Sequence, residues 1–290
     1  MRSHRALAAT AFLASLSFVP GCFDADNSPS GADDEQQAVE YVVSDEEAPL
    51  ADADVIYWDD AADGAAAAPI ATTAWRRELL SLDRSIHVDI DDPDGEPAVA
   101  HVTTEWDATG ILHLLVAGDS SRTEYRKDFE DLGRRQLVLE RVRRTAARNR
   151  GWRLVALSGV SIASPGSTRH IGSVRIQAGA VDATITNVTD LIRVADVLSI
   201  PPGAEVLVTV DTGDASDQVY LHLRHRHARM ALASNGDGTF SGRFVAGEIA
   251  GPRHLVVDVL SEGTILDDTA PYDNVAWGIP WRIEGVPVRP

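Results

Sequence analysis

Cysteine and lysine are almost missing from this 290-residue chain, which has one of each, Cys22 and Lys127. A single thiol cannot close an internal disulfide, so the fold has no covalent cross-link to lean on. Basic charge is scarce: Lys and Arg together number 26 against 44 Asp and Glu, a net charge of −18. Such a surface repels phosphate, which argues against a nucleic-acid partner and against purely electrostatic docking on anionic lipid headgroups. The near-exclusive use of arginine fits a GC-rich coding sequence or a salt-rich habitat. Beyond the N-terminal segment no stretch has the ~20 apolar residues that a bilayer span needs. Catalytic signatures are lacking too. There is no Gly-x-Ser-x-Gly elbow, no phosphate loop and no dinucleotide fingerprint.

What is present begins with an export address. Arg2 and Arg5 give a positive start, Ala6 to Val19 an uncharged apolar run, and Gly21 a small residue at a cut. Removing residues 1–21 removes those two arginines and no acid, which takes the charge from −18 to about −20. The string Phe18-Val19-Pro20-Gly21-Cys22 resembles a lipobox, with Val19 where Leu is usual and Pro20 where Ala or Ser is usual. The resemblance implies lipid on Cys22 and a protein held to a membrane outside the cytoplasm. Phe23 after the cysteine points to the outer membrane if the cell has one. Two or three acyl chains anchor stably where one is marginal. Residues 22–33 are polar and turn-forming, a composition that cannot bury a core, and they read as a tether.

Residues 34–163 read as an α+β unit. A helix is expected over 34–47, with Ala38, Val39, Val42 and Val43 apolar, and Val55 to Trp58 form an apolar cluster. A second helix capped by Thr72 or Thr73 would carry Trp75, Leu79, Leu80 and Leu82 on one face. The period then changes to two, with Ile86, Val88 and Ile90 alternating with His87, Asp89 and Asp91. Turn signals at Asp92–Gly95 and Asp107–Gly110 separate strands at 99–106 and 111–116. Further strands fall at 123–129, 136–142 (which also fits a helical period) and 152–162. Helices followed by long strands, closed by Gly151-Trp152-Arg153-Leu154-Val155-Ala156-Leu157-Ser158, resemble the cone-shaped domains of nuclear transport factor and ketosteroid isomerase. The resemblance implies a curved antiparallel sheet with packed helices and an apolar mouth. Such a mouth could take a small apolar ligand or another protein, and the sheet could pair two copies of the chain.

Residues 168–290 read as all-β, with the boundary near Ser164 to Ser167. Strands are expected at 173–177, 181–186, 191–194, 205–210, 219–223, 230–233, 240–245, 254–260 and 276–283. Turns such as Pro201-Pro202-Gly203 and Asn235-Gly236-Asp237-Gly238 separate them, and short strands at even spacing predict a sandwich. Asp237-Gly238-Thr239-Phe240-Ser241-Gly242 resembles the hairpin of bacterial immunoglobulin-like domains. With the tail Gly263 to Asp273 and Ala276-Trp277-Gly278-Ile279-Pro280, the whole resembles uncharacterised bacterial lipoproteins with a cone-like and an immunoglobulin-like domain, which carry no assigned activity.

Several side chains could carry chemistry. His87, Asp89 and His101, with Glu105 and His113 nearby, would make an acid/base set if they faced into a cone. The alternation instead turns Ile86, Val88 and Ile90 inward and the polar set to solvent. Asp211, Asp214 and Asp237, with Asp217 and Asn235, could offer turn oxygens to calcium. Yet Asp237-Gly238 is itself a hairpin turn, and the spacing completes no EF-hand. His222, His225 and His227 lie on one exposed, Arg-rich strand, where three ligands do not converge. No catalytic residue, metal or cofactor is therefore assigned. The expected function is that of a membrane-anchored extracytoplasmic lipoprotein with a non-catalytic binding or structural role. The alternatives are an enzyme using acid/base groups of the cone, and a glycan-binding or adhesion module using the sandwich.

Overall fold

A computed structural model of the chain describes residues 31–50, 62–63, 72–91, 97–117, 122–142, 149–223 and 228–285. Cys22, the start of the tether, the Val55–Trp58 cluster, His225 and His227 lie outside these residues. Helix α1 (Gly31–Leu50) forms where expected. Ala38, Val39, Val42 and Val43 make one stripe at helical spacing, and all four are buried. Near its start Glu35 accepts from the Trp152 indole N–H at 2.9 Å and pairs with Arg141 at 3.1 Å.

The rest of the α+β expectation is overturned. After β1 (Ala62–Asp63) come three very long strands, β2 (Thr72–Asp91), β3 (Val99–Ala117) and β4 (Arg122–Arg141), paired antiparallel in that order. The helix expected from Thr72 is the first half of β2. Trp75 and Arg77 point inward on odd numbers, while Leu82, Ile86, Val88 and Ile90 point inward on even ones. A bulge between Leu79 and Ser81 makes the switch. One residue inserted into a period of two places Trp75, Leu79, Leu82 and Ile86 at i, i+4, i+7 and i+11, the spacing of a helix face.

The turn expected at Asp107–Gly110 is also absent, and β3 runs straight through it. Gly110 stands opposite Phe129, and a Cβ there would lie 2.6 Å from the Phe129 ring. Gly133 stands opposite Trp106, and its Cβ would lie 1.9 Å from the indole. Each glycine is a place where a neighbouring aromatic ring folds over the strand.

The remaining elements are β5 (Trp152–Leu157), β6 (Val160–Ala163), β7 (Ser173–Ala178), β8 (Val181–Ile185), β9 (Ile192–Arg193), β10 (Leu198–Ile200) and β11 (Glu205–Asp211). Then follow β12 (Gln218–Leu223), β13 (Ala228–Ala231), β14 (Ala233–Ser234), β15 (Thr239–Val245), β16 (Gly251–Leu260), the short helix α2 (Glu262–Leu266) and β17 (Asn274–Ile283). They form a 12-stranded sheet whose main path is β1-β2-β3-β4-β6-β17-β16-β12-β13, and a 5-stranded sheet, β14-β15-β11-β7-β8. The chain is therefore mostly β in two sheets, not a cone wrapped over helices. Among the described residues no helix is long and apolar enough to cross a membrane.

The small sheet and β12, β16 and β17 make a sandwich core, in which Val174, Ile176, Val206 and Val208 meet Leu221, Val257, Val259 and Ile279. The large sheet continues across residues 164–167, because β17 pairs with β6 from Val275↔Ala163 to Gly278↔Val160, and β6 pairs with β4. The central strands therefore bury both faces. Leu255, Val257 and Val259 of β16 face the sandwich, while Val256, Asp258 and Leu260 face the long strands. Such strands read as nearly unbroken apolar runs. The long strands roll over this second face until β13 reaches β1, and β2 through the hydrogen bond from Arg229 to the Trp75 carbonyl. There the Arg229 guanidinium lies 3.4 Å from the Trp75 ring centroid, a cation–π contact that pins the seam.

Candidate functional site

The rolled sheet encloses a polar cluster. Arg77 of β2 donates to both oxygens of Asp258 on β16, at 2.7 and 3.1 Å, and through Nε to the Tyr272 hydroxyl at 3.0 Å. His222 Nε2 lies 3.0 Å from Asp258 Oδ2. Tyr272 Oη donates to Asp131 of β4 at 3.0 Å, and Asn274 Nδ2 donates to the same carboxylate at 3.1 Å. The Arg77 and Asp258 side chains have no exposed surface. Two charges buried this deeply hold only with close pairing and full hydrogen bonding. Burial works to raise the Asp258 carboxyl, but Arg77 and His222 outweigh it and hold the group far below the usual carboxylate range. Asp131 goes the other way: burial pushes it up, and Arg77 and Asn274 only partly offset this. Burial also holds the Tyr272 phenol well above its ordinary value, so it stays a donor. Arg77, His222, Asp131, Asp258 and Asn274 are buried and Tyr272 is partly buried, and this arrangement serves the fold.

Lys127 has a similar use. Its Nζ donates to three backbone carbonyls around α2, those of Gly263, Thr264 and Asp267, at 2.9, 2.8 and 2.5 Å. Burial pulls the ammonium down to about 8, against the pull of Asp267 and Asp268. Three N–H donors on one nitrogen match three converging carbonyls, and a planar guanidinium fork cannot. This explains why a chain that otherwise uses arginine keeps lysine here. Lys127→Arg should therefore destabilise by about 1–3 kcal/mol, the cost of unsatisfied buried polar groups. Thermal unfolding of Lys127→Arg beside Lys127→Met checks this. Stability equal to the parent in the arginine variant would refute the cage.

The other predicted residues fall as follows. His87, Asp89 and His101 are brought near one another, with Asp89 and His101 directly opposed across β2 and β3, but all three are on the exposed outer face. The inner face there belongs to Ile86, Val88 and Ile90, packed against the α1 cluster. His113 is buried between Glu124, at 2.6 Å, and Glu78, at 2.8 Å. Asp211 ends β11, and Asp214 and Asp237 sit in the neighbouring loops, joined where Thr212 N and Gly213 N donate to Gly238 O. Each carboxylate turns to its own loop, accepting from the backbone N–H of Gly213, Ser216 and Thr239 respectively. Arg169 reaches Asp217 at 2.6 Å and Asp214 at 3.0 Å. Among the described residues no three His, Cys, Asp or Glu side chains are grouped to hold a metal.

His222 was expected on an exposed strand, and it is fully buried. Its strand is covered on both faces, one by the sandwich and one by the long strands. Sequence reasoning missed Arg77, Asp131, Asp258 and Tyr272. One signal was present: Asp258 is the lone acid in the run Leu255 to Leu260.

The accessible candidate is a groove of about 690 Å³ on the long strands. Strand register orders its lining into cross-strand rows. Ser85, Glu105, Arg134 and Ser161 form one row, and Asp83, Asp107, Leu132 and Ala163 form the other. Between them runs the row of Arg84, Trp106 and Gly133, of which Trp106 and Gly133 are buried and Arg84 is exposed, and Thr189 adds to the wall. Arg134 and Glu105 approach to 3.6 Å. One groove atom, Asp107 Oδ1, has no hydrogen-bond partner among the described residues; Trp106 Nε1 also lacks one, but its ring packs on the interior face with Ala108, Phe129 and Ile162. Against known proteins the chain stands apart: no family model, no curated protein and no solved structure matches it.

Proposed function

We propose that the protein is an extracytoplasmic lipoprotein, anchored through lipid on Cys22, whose folded body binds a ligand without transforming it. One observation carries binding over catalysis, the separation of chemistry from access. The charged cluster of Arg77, Asp258, His222 and Asp131 is walled off from solvent. The acid/base candidates His87, Asp89 and His101 stand on an open, solvated face. General acid–base work needs a titrating group within hydrogen-bond reach of a held substrate, and neither set combines the two. The groove offers an accessible, shaped surface on which Asp107 Oδ1 has no hydrogen-bond partner among the described residues, and a concave surface with polar groups is what a binding site needs.

Anchoring rests on the sole cysteine directly after Gly21. The full chain expressed in bacteria fed labelled palmitate should take up label and sediment with membranes. Cys22→Ala should lose the label and move to the soluble fraction. Label retained in that variant would overturn the anchor.

A further inference from the structure

We infer that β8, the open edge of the small sheet, pairs antiparallel with β8 of a second copy of this chain, about a two-fold axis at Ala183. β8 follows β7 as the last strand of its sheet. A two-residue turn, Gly179 and Ala180, joins the two strands, with Gly179 at φ 59°. The residues that close such a hairpin, Ala178 and Val181, exchange both backbone hydrogen bonds. Pairing alternates from there, so Ala183 and Ile185 also bond back to β7. Asp182 and Thr184 therefore turn their backbone N–H and C=O groups outward. None of these four groups has a hydrogen-bond partner among the described residues.

Open edges invite pairing, and proteins blunt them with short strands, proline, bulges, inward charges or a covering element. β14, the other edge of this sheet, has only two residues, and β1 and β13, which end the path of the large sheet, meet each other. β8 has none of these devices. It runs for five residues in unbroken register, without proline. Its inward side chains, Val181, Ala183 and Ile185, are apolar and only partly buried. Its one charge, Asp182, faces solvent and is tied to Arg175 of β7 at 2.8 Å.

Self-complementarity selects the partner. Pairing centred on Ala183 sets Asp182 of each copy against Thr184 of the other. Those are the residues with free backbone groups, so four hydrogen bonds form. No carboxylate stands directly opposite another, an arrangement that would destabilise the sheet. On the core side Val181 of each copy meets Ile185 of the other, and the two partly buried edges cover each other. The contact is isologous, so it closes at two copies. One strand pair buries less than the ~800 Å² per partner of a standard interface, so the dimer is weak and depends on concentration.

The test is sedimentation equilibrium of the full chain, with detergent micelles in excess over protein, from about 1 µM to 1 mM. The parent should pass from monomer to dimer within that span. Thr184→Pro removes an outward N–H and leaves the bonds to β7 in place, so it should weaken association at least about tenfold. Thr184→Glu guards against a proline that disturbs the fold. It faces Arg175 in its own copy and Asp182 in the other, so it should keep the parent's melting temperature and weaken the dimer similarly. Ala183→Cys should give a disulfide-linked dimer on mild oxidation, because non-hydrogen-bonded antiparallel partners hold their Cα atoms ~4.5 Å apart. Asp237→Cys, at the opposite edge of the sheet, should not. A parent that stays monomeric throughout overturns the assignment, even if a strand-forming peptide from another source takes the edge. A dimer that survives both Thr184 substitutions unchanged also overturns it, since the copies then meet elsewhere.

Discussion

Asp258→Asn should cost about 3–5 kcal/mol of stability at neutral pH, the range for breaking one partner out of a buried ion pair. The substitution removes the charge that compensates Arg77, whose side chain has no exposed surface. It also presents an amide N–H₂ to a guanidinium that can only donate. Asp131→Asn, a few ångströms away in the same cluster, should change stability far less. Its carboxyl is already pushed upward by burial, and asparagine keeps a carbonyl oxygen for Tyr272 and Asn274. The two sites also differ in sign with pH. Asp258 is held below its unfolded value. Its contribution is therefore present above that value, ~3.9, and is lost as the pH falls below it. Asp131 is held above its unfolded value. It favours the fold at low pH, and this is lost as the pH rises through its raised value. Urea unfolding from acid to neutral pH should show a flatter acid limb for Asp258→Asn than for the parent. Asp131→Asn should gain on the parent as the pH rises. A loss under about 1 kcal/mol in Asp258→Asn, the net worth of an ordinary hydrogen bond, would refute the ion-pair account.

Gly133→Ala is the second large effect expected. One methyl group there would lie 1.9 Å from the Trp106 indole, and the ring cannot move without vacating its place beside Ala108, Phe129 and Ile162. Overpacking of this kind costs about 1–3 kcal/mol. Truncating Trp106 to alanine in the parent should itself cost about 3–5 kcal/mol. In the Gly133→Ala background the truncation should cost less, since the clash has gone. A double-mutant cycle by denaturant unfolding should give a coupling of about 1 kcal/mol or more. Strict additivity would mean that the ring does not depend on the missing Cβ.

The two halves of the chain differed in how readable they were. Strands such as Glu205–Asp211 and Thr239–Val245 alternate cleanly between turns rich in Gly, Asp and Pro, and the structure places them within a residue or two of expectation. The long strands misled for physical reasons. Typical strands have ~5–6 residues, so a turn-like Gly110 or Gly133 invites a break that an aromatic neighbour in fact closes over. The bulge at Leu79–Ser81 imitates a helix face. For the site, alternation correctly put His87 and Asp89 on the solvent side. It could not join Arg77 to Asp258, 181 positions apart, because period tells which way a side chain points and not what it meets. The groove was equally hidden, since its rows arise only when Asp83, Asp107, Leu132 and Ala163 come into register.

The shared central strands set an order on folding. The ribosome delivers β2, β3 and β4 well before β16 and β17, yet it is those two strands that floor the space the long strands enclose. Before β16 and β17 are made, the inward residues Trp106, Ala108 and Phe129 of the long strands lack Val256 and Ala276 to pack on. Closure waits for pairings of high sequence separation, the slow kind. The final strand acts as a latch. Asn274–Ile283 pairs with β6 on one side and β16 on the other, so the large sheet is continuous only once that strand is in place.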